Sequence, residues 1–390
     1  MEKYILPNNI RNFLLGCIGI GVVTLAAGFV IQPERAWAGL LVITFYILAI
    51  GLFGGFFTSF QFLAGAKWSV VVRRLTEVMV ALIPVAAVLL IGVFAGIHHL
   101  YEWSHEDVVK NDHILSYKQG YLNSPMFIAR LVFYVAMWFF LGNLLKKTSI
   151  KQDETKDPAT RGTLTKYSIF YMLFFVYTFS LASMDLIMSL EPHWQTTMYP
   201  VYCFAGLAYS GFGTLILLSS TIKNGGGLKG MSIEHFHDIG KFQFVFTAFW
   251  GYVVFAMFML IWYANMPEET VYLERRLKGN WFGFTFALWG IHFLLPFLIL
   301  LSSSIKRSPQ RLAKVAWLIT FMGFVDVVWM VYGGLQHKIQ GFPFSWMELG
   351  LYVGAVGIIG FIVLTAYAKV GPEPIGDPFY KDSLNFHQSH

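Results

Sequence analysis

Five residues that can take part in proton transfer or ion binding crowd the end of one apolar run: Ser183, Asp185, Ser189, Glu191 and His193, within FSLASMDLIMSLEPHW at positions 179–194. A carboxylate set in hydrocarbon costs several kcal/mol, so it carries a partner or a purpose. Asp185 is expected to line a polar cavity, with Glu191 and His193 passing protons to water beyond it. Three further sets have the chemistry of a proton route. Arg73 and Glu77 lie four apart and share a helix face, while Arg74 points elsewhere and would snorkel to the interface. His98 and His99 adjoin Tyr101 and Trp103 at the end of an apolar run, and imidazoles titrate near neutral pH. His292 and Asp326 sit deep in two successive runs and form a second candidate pair. Gln61 and Arg130 read as structural.

Metal and haem chemistry find little support in the same residues. Cys17 and Cys203 are the only cysteines and neither belongs to a CxxC or CxxCH, whereas clusters need several thiolates and covalent haem needs CxxCH. A haem b would need two histidines at matched depth on facing helices, and His292 lies deeper than His98 and His99. No cofactor is therefore expected on this chain.

The elements that position these groups are membrane helices. Of 390 residues, 56% are hydrophobic and 13% charged, about half the charged share of a soluble globule. Apolar runs long enough to cross a bilayer occur at about 12–31, 37–66, 68–99, 126–145, 164–190, 195–222, 242–265, 280–305, 312–335 and 346–368. The first is too long for a signal peptide and precedes no small-residue cleavage site. The second and third form a tight hairpin. Pro84 and Pro296 fall inside runs and should kink them. The fold class expected is an all-α polytopic membrane protein of about ten transmembrane helices, as two helical bundles plus peripheral helices. Residues 1–370 would form the membrane domain and 371–390 an extended cytoplasmic tail lying on a partner or the surface. The net charge of +6 does not mark a nucleic-acid partner, because the basic residues gather at span ends. Twenty of the 28, from Lys3 to Lys381, fall on the side that carries both termini. The positive-inside rule then puts both termini in the cytoplasm.

Two segments carry a family resemblance. AKWSVVVRRLTEVM, at the start of the third run, and MDLIMSLEPHW, at the exit of the fifth, resemble the integral membrane subunits of alternative complex III, within the polysulfide-reductase NrfD-like family. The chain is more similar to the F type of those subunits than to the C type. The matching residues are Arg73, Arg74, Glu77, Asp185, Glu191, His193 and Trp194; His98, His99, His292 and Asp326 rest on the span reading alone. The resemblance implies a cofactor-free subunit of a quinol-oxidising complex in a bacterial inner membrane. Its partners would be an iron–sulfur subunit, cytochrome c subunits bearing haem c, and a paralogous NrfD-like membrane subunit, with menaquinol or ubiquinol as reductant. It would carry protons and contact quinone. A stand-alone secondary transporter and a pure scaffold are the competing classes.

Overall fold

The computed structural model describes residues 4–339 and 341–387; Lys3, counted above among the basic residues, lies outside them. No strand occurs among the described residues. Among the described residues, ten helices are long and apolar enough to cross a membrane: α1 (Asn8–Ile31), α2 (Pro33–Leu63), α3 (Val70–Ala95), α4 (Ser124–Thr155), α5 (Ala159–Leu190), α6 (Tyr199–Asn224), α7 (Ile233–Ala264), α8 (Asn280–Leu301), α9 (Pro309–Gly334) and α10 (Trp346–Ala368). The expected all-α polytopic fold is thus observed, with helix ends shifted by a few residues. Proline at the first or second position opens α2, α4, α6 and α9, where its missing N–H costs nothing. Ser345 and Glu348 close a capping box at the start of α10.

The helices assort into two groups of four and a pair. Helices α2 to α5 pack on one another, α6 to α9 on one another, and α2 also lies against α6 and α9. The apolar stretch of α2 is wholly buried, so it is the shared wall between the two bundles. The peripheral pair is α1 with α10, which make the most extensive helix contact in the molecule. Their axes close where Gly21 meets Gly354: a Cβ on Gly21 would stand 2.6 Å from the Gly354 Cα. Small residues permit this approach, and in a bilayer such contact is what drives helix association.

Both internal prolines act one turn upstream. A proline ring removes the bond to the carbonyl four residues earlier and clashes with it. In α3 the regular helix breaks at Val80 and Ala81, four and three residues before Pro84. In α8 a π turn, Trp289–Leu294, precedes Pro296. The His292 carbonyl that Pro296 cannot use accepts the Tyr209 hydroxyl at 2.8 Å instead.

The C-terminal tail differs from the extended segment expected. It folds over the end of the first bundle and carries a short helix, Tyr380–Leu384. Asp377 accepts from Arg73 at 2.8 Å and from Arg161 at 3.0 Å. Ser383 donates to the Trp68 carbonyl at 2.5 Å. Glu373 accepts from the Gly230 N–H at 2.8 Å and from the Tyr380 hydroxyl at 2.5 Å. The physical reason is charge: two arginines at the helix ends lack enough carboxylate from the bundle alone, and the tail supplies it. Tyr4 packs edge-on to Tyr367 at the same end, so both described termini share one face, here the terminal face; the opposite one is the far face.

Candidate functional site

On the terminal face, Arg73 and Glu77 do pair, with the Arg73 Nε 3.2 Å from Glu77. Arg74 does not snorkel. Its side chain is fully buried and donates to Glu77 at 2.7 Å and to Asp153 of α4. Three arginines (Arg73, Arg74, Arg161) face three carboxylates (Glu77, Asp153, Asp377). Two acidic neighbours make exposure of Arg74 unnecessary, and the set is neutral as a whole.

Asp185 is likewise enclosed rather than open. It is buried, and Arg130 holds both carboxylate oxygens at 2.9 and 3.1 Å while stacking on Tyr121 at 3.7 Å. The neighbouring hydroxyls bond to main chain, Ser183 to the Ser180 carbonyl and Ser189 to that of Asp185. Arg130 is therefore the partner of the most conspicuous carboxylate in the sequence. A separation of 55 positions hid the pairing, because only the packing of α4 on α5 closes that interval.

The far-face histidines sit at the surface and apart from Asp185. His98 contacts Ser104 at 3.0 Å. His99 pairs with Glu34 at 3.0 Å and stacks on Trp37. His193 is exposed and pairs with Asp112 at 2.6 Å; backbone N–H bonds from Leu115, followed by that imidazole, hold Asp112 below the usual carboxylate range. Glu191 is buried against Arg276 at 2.6 Å, with Arg275 at 3.8 Å. A cavity of about 470 Å³ lies over these groups, lined by Glu102, Glu191, His193, Glu268, Arg275 and His337 among others.

The second bundle holds a different arrangement. Asp326 is fully buried, eight residues from the far end of α9, which is about 12 Å at 1.5 Å per residue. It accepts from the Tyr202 hydroxyl of α6 and from the Trp250 Nε1–H of α7 at 3.0 Å. Neither donor is charged. His292 of α8 lies flat between Tyr209 and Trp250, at ring distances of 4.0 and 3.9 Å. Its Nδ1 lies 3.1 Å from the Met322 carbonyl, and a carbonyl only accepts, so that nitrogen carries the proton. The buried Nε2 is then a bare acceptor with no hydrogen bond to any described residue. His292 and Asp326 are thus not the direct pair expected: Trp250 stands between them, stacking on one and donating to the other. All four helices of the bundle contribute a residue. Tyr202 and Tyr209 are seven apart, two turns on one face of α6, and Met322 and Asp326 are one turn apart on α9.

Cavities approach this site from both directions along α9. Gly334 lines the far-face cavity. Towards the terminal face, Trp317 and Thr320 line a crevice of about 300 Å³ between the peripheral pair and the second bundle. Its walls are mainly apolar, and its polar edge is built from Tyr46, Thr214, Thr221 and Thr320. Tyr46 donates to the Thr320 carbonyl at 2.8 Å, and the Thr320 and Tyr352 hydroxyls lie 3.0 Å apart.

Sequence reasoning did not single out Tyr202, Trp250 or Arg276. Aromatic residues make up 18% of the chain, so no single one stands out, and Arg276 ends a short charged helix, Pro267–Arg276, between two spans. No group of three or more metal-ligating side chains occurs among the described residues. No family model matches the chain, and no curated protein is significantly similar to it.

Proposed function

We propose that this chain is the proton-carrying membrane subunit of a quinol-oxidising respiratory complex of the NrfD-like type, with Asp326 as its proton-exchanging group. The observation that carries the reading is the contrast among buried carboxylates on the spans. Glu77, Asp185 and Glu348 each meet an arginine within 3.2 Å. Asp326 meets a phenol and an indole only. A charge at that depth without a cation is costly, so binding and releasing a proton changes the energy of this site more than of any arginine-paired one. A bare imidazole nitrogen nearby, on His292, supplies a second acceptor.

In this reading the terminal face is cytoplasmic, as the excess of Lys and Arg there supports, and the membrane is the bacterial inner membrane. Electrons pass through an iron–sulfur subunit and cytochrome c subunits, beside a paralogous membrane subunit. The resemblance of the α3 start and the α5 exit to alternative complex III subunits supports those partners. The apolar crevice with its hydroxyl edge suits the ring of a menaquinol or ubiquinol arriving from the bilayer.

The test is purification followed by reconstitution. The chain should co-purify with haem c and iron–sulfur polypeptides, and Asp326→Asn should leave the assembly intact while lowering protons moved per electron. The amide keeps size and hydrogen bonding but not the exchangeable proton. A chain that purifies alone, or an unchanged proton ratio in an assembled Asp326→Asn complex, rejects the reading.

A further inference from the structure

Between Asp326 and the far-face cavity stands an ion pair. One turn beyond Asp326 on α9, the Met330 carbonyl accepts from the Arg276 guanidinium at 3.3 Å. The same guanidinium donates to Glu191 at 2.6 Å, lies 3.6 Å over the Tyr272 ring and 5.0 Å over Trp329. Three residues further along, Gly333 makes the seat: a Cβ there would stand 2.3 Å from the Arg276 Nε. At the next residue, Gly334, the cavity begins, and Glu191 and Arg275 line it too. The order along α9 is therefore carboxyl, guanidinium, open cavity. Rings fill the space between: Tyr202 meets Trp329, and Trp329 meets Tyr272. The Tyr272 hydroxyl is buried among them with no hydrogen bond to any described residue.

We propose that Arg276, seated on Gly333 and paired with Glu191, is an electrostatic valve that keeps free hydronium in the far-face cavity from reaching Asp326 directly, leaving slower exchange through Glu191 as the route. The inference rests on the proton-carrying reading above. A fixed cation in a narrow, ring-walled passage repels hydronium, as arginines do in channels that exclude protons. Burial opposes the charge on Arg276, but the Glu191 carboxylate outweighs it, so the guanidinium stays protonated. Outward passage uses the pair itself. The O–H bond of the Asp326 carboxyl breaks and one forms on Glu191, whose neutral carboxyl loosens its hold on Arg276. Loss of that proton to water in the cavity restores the pair. Arg276 keeps its protons throughout and acts as a positioning residue.

The experiment measures passive proton leak in liposomes holding the purified native assembly, with an acidic far side and a pH-sensitive dye inside. The double variant Arg276→Gln/Glu191→Gln removes the cation without leaving a buried carboxylate unpaired. Its leak should rise at least about tenfold, the change expected from lifting a barrier of one charge. Gly333→Ala, which unseats Arg276 with all charges kept, should raise it less. Adding Asp326→Asn should abolish both leaks. The double variant tests the proposal by itself if Gly333→Ala does not assemble. A wild-type leak in the assembled double variant, or a leak that survives Asp326→Asn, overturns the valve. When the leak result overturns the valve, a lowered proton ratio in Asp326→Asn alone leaves the proton reading standing; an unchanged ratio fells both.

Discussion

The two four-helix bundles bury carboxyl groups in opposite ways. In the first, Asp185 and Glu77 are held by arginines, and the arginines find their remaining partners in Asp153 and Asp377. In the second, Asp326 is held by Tyr202 and Trp250. A buried ion pair with ideal geometry fixes both protonation states and costs heavily if one partner is removed. A carboxyl among neutral donors has no such lock. The first bundle is thereby suited to holding shape and the second to changing charge. Position in the sequence pointed the other way, since the Asp185 segment looked the more reactive.

The comparison breaks most readily at Arg130. Arg130→Leu should destabilise the protein by about 3–5 kcal/mol, because Asp185 is left buried without a cation. The double variant Arg130→Leu/Asp185→Leu should recover most of that loss. Thermal unfolding in detergent, read by the amount of monodisperse protein, separates the two. A single variant as stable as the parent would mean that the pair is not what holds Asp185.

A smaller effect is expected in the second bundle. Asp326→Leu leaves the Tyr202 hydroxyl and the Trp250 N–H without an acceptor, at about 1–3 kcal/mol for each unsatisfied group. Asp326→Asn keeps one acceptor oxygen and should cost less than either. If Asp326→Leu proves as damaging as Arg130→Leu, the two bundles are not different in kind. Smaller again is Asp377→Asn, which takes one of three carboxylates from the terminal-face set. Glu77 still holds Arg73 there, and Arg161, which loses its carboxylate, is partly open to solvent, so the main result should be faster proteolysis of the tail beyond Val370. Unchanged cleavage would show that Glu373 and Ser383 anchor the tail unaided.

The spans were legible because membrane crossing demands about 20 apolar residues whatever the fold. The kinks at Pro84 and Pro296 were legible because proline acts locally. Pairings were legible only when local too: Arg73 with Glu77, four apart, was read from the sequence, whereas Arg130 with Asp185 and Arg35 with Glu348 were not. Their partners are set by which helices pack together, and hydropathy runs carry no such information. The role of Trp250 was hidden for a further reason. An indole between His292 and Asp326 is indistinguishable, in sequence, from the many rings that fill helix interfaces.

The smallest expected effect concerns the cavity that both bundles border on the far face. His337 lies there, 3.3 Å from Glu102, with Lys338, Arg275 and Glu191 as the other charges acting on it. Burial, joined by Lys338 and Arg275, lowers its pKa from 6.5, against the pull of Glu102 and Glu191. The unfolded chain then binds more protons than the folded one at pH values just below 6.5. Stability must therefore fall as the pH drops through that value and level off once the folded imidazole also titrates. His337→Gln should flatten this part of the profile, measured as the thermal midpoint between about pH 5.5 and 7.5. The side chain is 44% exposed, so solvent screening keeps the change small. Arg130→Leu/Asp185→Leu should leave the slope in that window untouched, because neither residue lines that cavity or acts on His337. Equal slopes for parent and His337→Gln would show that the cavity is wet enough to hold His337 as water would. A slope altered by the double variant would show that Asp185 titrates near neutrality, against the locked pair assigned to the first bundle.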